Sequence, residues 1–253
     1  MDILVKTPLK VEVLGQVYLL VLEVTKMGFK PNYRKKFNIS DDLASQIKEA
    51  FEKPLTISGQ FLGIRNIHHG SFNKRTVIFS SIKNGGAFSL ESQLELAHAL
   101  NLERDYRVLK YRAQALKFIL TNDLYVIPDF LILNNLHEYE VHEVKSNLGI
   151  LSSEQLYKLE LTKQVVNSYN MRYEIFDDKL LPNLKEINCL LRIYKNIKNI
   201  ELNTEKINTA KSIINNNIKY FSELLTFLSK YNFSYNEICY LVFYKYIQVN
   251  IDI

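Results

Sequence analysis

The pattern of apolar and polar residues between positions 125 and 145 predicts two short strands joined by a turn. Residues 125–133 are mostly apolar, β-branched or aromatic, Asn134 and Asn135 interrupt this run, and residues 140–145 resume it. Two such segments around turn-forming residues are typical of a β-hairpin. Because successive side chains of a strand point to opposite faces, Glu143 and Lys145 would share one face.

One face of this predicted hairpin carries an unfavourable set of charges. If the strands pair, Asp129 lies beside Glu143 on the face that also carries Lys145, and neighbouring carboxylates repel each other unless a cation lies between them. Mg²⁺ binds through one or two carboxylates together with substrate phosphates, and a lysine can orient a water molecule or stabilise charge on a phosphate. The pattern indicates metal-assisted phosphodiester hydrolysis. An ordinary edge strand, which carries charges and lysine to prevent aggregation, is the alternative interpretation.

A helix is predicted shortly before the hairpin, over residues 89–102. Ser89 is the expected N-cap, and apolar residues follow at helical spacing. Glu91 and Glu95 are four residues apart and share a face beside the apolar stripe. Either they form a solvated face, or one of them turns inward to a cation.

The other predicted elements alternate between strands and helices and end in a helical segment. Before the central hairpin they are a hairpin over residues 11–26, a helix over 43–51 and one or two strands over 105–120. After it, a helix from Ser152 to about residue 169 and a strand over 172–176 form a strand–helix–strand crossover. Beyond Pro182, helices are predicted over residues 184–195, 204–215, 220–230 and 235–248.

Composition narrows the class of protein only slightly. The chain has 253 residues and a net charge of +5, which admits a polyanionic partner. No apolar run is long enough to span a bilayer, and no signal peptide is evident. Cys189 and Cys239 are expected to be core thiols in a reducing compartment, so a cytoplasmic location is expected. The basic residues Arg34, Lys35, Lys36, Arg65, Lys74 and Arg75 are candidate contacts for DNA phosphates; exposure in solvated loops is the alternative interpretation.

Four short motifs in a fixed order resemble the restriction-endonuclease-like nucleases. They are Ser92-Gln93-Leu94-Glu95, the segment from Val108-Leu109 to Gln114, Pro128-Asp129-Phe130, and Glu143-Val144-Lys145. More narrowly, this set is similar to TnsA, the endonuclease subunit of heteromeric transposases. The resemblance covers about residues 89–178.

The resemblance implies roles for individual residues. Glu95 matches the acidic residue on the family's helix, Asp129 matches the aspartate of its Pro-Asp-Phe stretch, and Lys145 matches its catalytic lysine. Glu143 stands where the family has Glu or Gln. Glu95, Asp129 and Glu143 would hold one or two Mg²⁺ ions, and Mn²⁺ would also be accepted. The carbonyl of Val144 could take the place of the Glu143 side chain.

A fifth residue, Gln114, matches a glutamine close to the family's active site. Ala115 follows it here, where the family usually has proline.

The resemblance also implies a fold and an assembly. Residues 1–179 would form an endonuclease domain with a restriction-endonuclease-like mixed sheet flanked by helices (core about 85–179) and an N-terminal β and basic extension. Residues 180–253 would form a C-terminal helical, winged-helix-like domain for partner or DNA contact. The protein would cut the 5′ ends of a mobile element in double-stranded DNA during cut-and-paste transposition. Its partners would be a transposase of the TnsB type and an ATPase regulator of the TnsC type, in a prokaryotic cytoplasm and on the nucleoid when assembled.

Two alternatives remain open at this point. A stand-alone restriction or repair nuclease with the same core would cut DNA without a transposase. A non-catalytic assembly scaffold would keep the nuclease core without its activity.

Overall fold

The structure is a computed structural model that describes residues 42–65, 67, 76–121, 124–214 and 218–251. In these ranges the chain has an α/β architecture in which helices flank mixed sheets. The strands are β1 (Gln60–Phe61), β2 (Val77–Ser81), β3 (Gly86–Leu90), β4 (Val108–Ala113), β5 (Phe118–Thr121), β6 (Leu124–Val126), β7 (Phe130–Asn134), β8 (Tyr139–Val144) and β9 (Arg172–Phe176). The helices are α1 (Leu43–Glu52), α2 (Gln93–Arg104), α3 (Ser153–Ser168), α4 (Leu184–Tyr194), α5 (Thr204–Ile213), α6 (Phe221–Ser229) and α7 (Tyr235–Phe243). The hairpin predicted for residues 11–26 lies outside the described residues.

The central sheet contains the predicted hairpin. Its strand order is β4-β7-β8-β9, in which β7 pairs antiparallel with β4 and β8, and β8 pairs parallel with β9. The hairpin prediction is confirmed, with Phe130 opposite His142. The first predicted strand is shorter than expected, because residues 124–126 pair with β5 in a separate two-stranded sheet.

Both faces of the central sheet are covered by apolar side chains. Phe130 and Ile132 of β7 pack into one cluster with α2 and the C-terminal helices, whereas Leu131 packs into a second cluster with α3. A strand that is buried on both faces carries a nearly continuous apolar run, as β7 does. The alternation of β8 places Val141 in the second cluster, so Glu143 projects from the α3 face as well.

The start of α2 differs from the prediction. Ser89 lies in β3, where it pairs with Ile78 of β2, and Ser92 is the N-cap of the helix. The Ser92 hydroxyl accepts a hydrogen bond from the Glu95 amide at 3.1 Å. Both serines are suitable caps, and the pairing of β2 with β3 decides between them because a paired residue cannot also begin a helix.

The crossover and the C-terminal helices follow the predicted order. Ser152 caps α3 through a capping box with Gln155, and α3 connects the parallel strands β8 and β9. The last predicted helix ends at Phe243 and not at 248, because Lys245 has a left-handed backbone with φ 60°. Over the described ranges, no helix is long and apolar enough to cross a membrane.

A buried carboxylate connects the C-terminal helices with the sheets. Glu103 of α2 is fully buried, and it accepts hydrogen bonds from the hydroxyls of Tyr111 (2.7 Å), Tyr194 (2.9 Å) and Ser81. Tyr194 belongs to α4, and Tyr111 belongs to β4. One apolar cluster surrounds this network and extends from Phe88 of β3 to Phe243 of α7.

Candidate active site

The open end of the central hairpin brings two of the predicted carboxylates together. Asp129 directly precedes β7, and the register of Phe130 with His142, continued by one residue, places Asp129 opposite Glu143. The main-chain amide of Val144 donates a hydrogen bond of 2.8 Å to Oδ2 of Asp129. Glu143 is buried at the same end of the hairpin.

The third carboxylate, Glu95, arrives from the first turn of α2. Its Oε2 accepts a hydrogen bond from the Glu91 amide at 2.8 Å, and its Oε1 accepts one from the Ser92 hydroxyl at 3.0 Å. The side chain is buried although it is acidic. A carboxylate in the first turn is favoured by the helix dipole, which accounts for part of its stability there. Each oxygen still has a lone pair for a further contact.

These carboxylates line one open cleft of about 800 Å³. Lys145 also lines it and donates a hydrogen bond from its ammonium group to Oε1 of Glu143. The Lys145 amide donates to the Phe176 carbonyl at 2.9 Å, which fixes the end of the hairpin to β9. The structure therefore brings four of the five predicted catalytic residues to the same cleft.

The electrostatics of the cleft are unfavourable for three ionised carboxylates. Burial raises the pKa of Asp129 well above its ordinary value, and the negative charges of Glu143 and Glu95 raise it further, while Lys145 lowers it. Burial is also the main cause of the raised pKa of Glu95. A site of this kind takes up either protons or a cation at neutral pH.

The donor atoms fit a hard divalent cation. Oε2 of Glu143 is buried and has no hydrogen-bond partner among the described residues, which is costly for a carboxylate oxygen. Carboxylate oxygens are the ligand type that Mg²⁺ prefers, and Val144 also lines the cleft. Over the described ranges, no three or more His, Cys, Asp or Glu side chains are arranged as a group that could hold a metal ion.

Gln114 lies beside the cleft and does not line it. Its backbone is left-handed, with φ 49°, and its amide donates to the Asp129 carbonyl at 2.9 Å. The side chain faces a neighbouring cavity of about 330 Å³, and both of its polar atoms are buried without a hydrogen-bond partner in the described part of the chain. A Cβ at Gly63 would lie 3.0 Å from the carbonyl oxygens of Ala113 and Gln114, so this close approach requires glycine. The contact of Gln114 with the site is thus through its main chain.

Of the predicted DNA contacts, Arg65 lies in the described ranges. It lines the cleft and forms a salt bridge of 3.3 Å with Glu91. Glu91 is therefore placed at the cleft, next to Glu95. The other predicted basic residues (Arg34, Lys35, Lys36, Lys74 and Arg75) lie outside the described residues.

Tyr173 was not recognised from the sequence. It lies on β9, next to Val141 and on the same face as Glu143, and its hydroxyl is buried without a hydrogen-bond partner in the described ranges. Burial raises its pKa, and the charges of Glu143 and Asp129 raise it further, so the ring is close to both carboxylates. Only the parallel register of β8 and β9 reveals this proximity.

Comparison with known proteins adds no further assignment. No protein-family model and no curated protein matches the chain. The functional interpretation therefore depends on the residues of the cleft and on the order of the motifs.

Proposed function

We propose that this protein is a Mg²⁺-dependent DNA endonuclease, and that it acts as the TnsA-like subunit of a heteromeric transposase. One observation carries the proposal: Glu95, Asp129, Glu143 and Lys145 converge on a single open cleft. Nothing in apolar packing calls for three carboxylates around one cleft, because their mutual repulsion and their burial both oppose ionisation. A divalent cation and a phosphate would compensate for these costs.

Each residue has a defined task in this proposal. Asp129, Glu95 and Glu143, or the carbonyl of Val144, would hold one or two ions. When bound, the metal supplies Lewis acidity toward the phosphate and lowers the pKa of the attacking water. Lys145 is held at the cleft by Glu143, where its ammonium group orients that water and stabilises negative charge on the phosphate.

The sheet that carries the site supports a restriction-endonuclease-like core. In this proposal α2 supplies Glu95, the β7–β8 hairpin supplies the other ligands and the lysine, and the α3 crossover adds the parallel strand β9. The transposase assignment depends on the ordered motifs that resemble TnsA. Contacts with a TnsB-type transposase and a TnsC-type ATPase belong to this proposal, with the C-terminal helices as the surface for partner or DNA contact.

Strand-specific nicking of a labelled mobile-element end in Mn²⁺ tests the proposal. The wild-type chain should cut the DNA at the 5′ end of the mobile element. It should do so only together with the neighbouring transposase. Asp129→Ala should abolish cutting with little loss of DNA binding. The exposed Asp178 offers a matched control, since Asp178→Ala should cut like the wild type.

Other outcomes of this assay point to other functions. Cutting without the transposase would indicate a stand-alone restriction or repair nuclease. No cutting, with the transposase shown to be active, would favour the assembly scaffold, and unchanged cutting by Asp129→Ala would refute the assignment of the site.

A further inference from the structure

Lys158 is a second lysine in the cleft, and the proposed chemistry does not use it. It lies in the middle of α3, one turn after Glu154 and directly before the buried residue Leu159. The packing of α3 on the sheet turns this side of the helix toward the carboxylates, and Lys158 lines the cleft together with Lys145. Its side chain is half-buried.

Lys158 differs from Lys145 and Arg65 in having no directly bonded anionic partner among the described residues. The ammonium group of Lys145 binds Glu143, and the guanidinium group of Arg65 binds Glu91. In the described part of the chain, the side chain of Lys158 forms neither a hydrogen bond nor a salt bridge. A half-buried ammonium group without a hydrogen bond carries a desolvation cost, which the nearby charges of Glu143 and Glu154 offset only in part.

The charges around Lys158 act in both directions on its ammonium group. Burial lowers the pKa of Lys158, and the positive charges of Lys145 and Arg65 lower it as well, whereas Glu143 and Glu154 act in the opposite direction. Five carboxylates (Glu91, Glu95, Asp129, Glu143 and Glu154) also line the cleft, and two of them are bonded to Lys145 and Arg65. An anionic ligand at Lys158 would supply the direct partner that its ammonium group lacks among the described residues.

We propose that Lys158 binds a backbone phosphate of the DNA strand in the cleft, at a position separate from the phosphate that is cut. This inference rests on the proposed nuclease function and adds a substrate contact to it. Lysine suits the task because its ammonium group is a compact charge on a flexible stem and binds phosphate without a fixed geometry. Lys158 is therefore a binding residue, and Lys145 remains the lysine at the chemistry.

The salt dependence of DNA binding tests this contact without requiring cleavage. The probe is a fluorescein-labelled duplex, and the protein is the full chain with Asp129→Asn, which prevents cutting. Each phosphate contact contributes about 0.9 to the slope of log K against log salt, so Lys158→Ala should reduce the slope by about that amount. The affinity ratio between the parent and the variant should then shrink about threefold as salt rises from about 50 to about 200 mM.

Two further variants make the result specific. Lys163 lies on the same helix, is exposed and does not line the cleft, so Lys163→Ala should leave the slope unchanged. Lys158→Arg keeps the charge and should restore most of the slope. Lys158→Gln, which keeps much of the stem, replaces the alanine variant if that variant fails to fold.

Cleavage kinetics in the presence of the neighbouring transposase, with the chain that carries Asp129, separate binding from chemistry. Lys158→Ala should raise KM for the duplex with little change in kcat. A hundredfold loss of kcat with an unchanged salt slope would overturn the phosphate contact. An unchanged slope and an unchanged KM would overturn it too, and in that case wild-type cutting would leave the nuclease function standing. A wild-type chain that does not bind DNA, and does not cut it with an active transposase present, would refute both proposals.

Discussion

Asp129→Asn should stabilise the metal-free protein although it should also abolish cleavage. Asparagine has the shape of aspartate, and its carbonyl oxygen can still accept the hydrogen bond that the Val144 amide gives to Asp129. The substitution removes the negative charge that faces Glu143 and Glu95. If Asp129 is a metal ligand, its charge destabilises the metal-free protein. Its substitution should then raise stability while it lowers activity.

The direction of this change in stability follows from the raised pKa of Asp129. Between its ordinary pKa in the unfolded chain and its higher pKa in the folded protein, the folded state binds more protons, so stability falls as pH rises through that interval. Above the folded pKa the full cost of the ionised carboxylate is present. Leaving a buried polar group uncompensated costs on the order of 1–3 kcal/mol, and more for a charged group. We expect a gain of about this size for Asp129→Asn at neutral pH.

Urea unfolding, followed by far-ultraviolet circular dichroism in a chelator at neutral pH, measures this gain. With a denaturant slope of about 2 kcal/mol per molar, a gain of about 2 kcal/mol raises the unfolding midpoint by about 1 M. Addition of Mg²⁺ should reverse the order. The wild type should gain about 2.7 kcal/mol when free Mg²⁺ is about 100 times its dissociation constant, and Asp129→Asn should gain much less.

The control substitution is Asp178→Asn, which changes an exposed aspartate in the same way. It should alter the free energy of unfolding by no more than about 0.5 kcal/mol, with or without Mg²⁺. A loss of stability in Asp129→Asn under chelation, with Asp178→Asn unchanged, would refute the reasoning. Asp129 would then belong to a satisfied hydrogen-bond network that stabilises the fold, and it would not be a metal-binding residue.

Three further predictions concern the surroundings of the site. Ser92→Ala removes the N-cap of α2 and a hydrogen bond to Glu95, and it should cost about 1 kcal/mol in urea unfolding; an unchanged midpoint would contradict this. Tyr173→Phe removes a hydroxyl without a partner, so stability should stay within about 0.5 kcal/mol or rise, and a loss above about 2 kcal/mol would show that the hydroxyl is bound. Burial and His142 lower the pKa of His98, so the unfolded state takes up protons that the folded state does not. The wild type should lose stability as pH falls below about 6.5, and His98→Phe should show a flatter dependence, whereas an equal loss in both would refute this assignment.

The sequence was sufficient to predict the hairpin and the meeting of Asp129 with Glu143, because strand alternation and a turn determine which residues share a face. It was not sufficient for the start of α2. Ser89 and Ser92 are both suitable caps, and only the pairing of Ser89 with Ile78 excludes the first.

The positions of the side chains outside the hairpin depend on tertiary packing, which a local sequence pattern does not predict. The left-handed backbone of Gln114 turns its side chain toward a neighbouring cavity, and a local pattern does not predict a positive φ for glutamine. The helix that contains Lys158 was predicted, but which of its faces meets the cleft depends on how α3 packs against β5 and β9.

The hydrogen-bond network of Glu103 determines where the protein can be truncated. Tyr194 supplies one of the hydroxyls that satisfy this buried carboxylate, and it lies beyond residue 179. A fragment that stops at residue 179 would lose that hydroxyl and would expose the apolar face of α2 to water. Since α2 begins with the turn that holds Glu95, the damage would reach the cleft. The C-terminal helices therefore support the candidate site structurally, and we expect that a fragment that keeps this site folded has to include them.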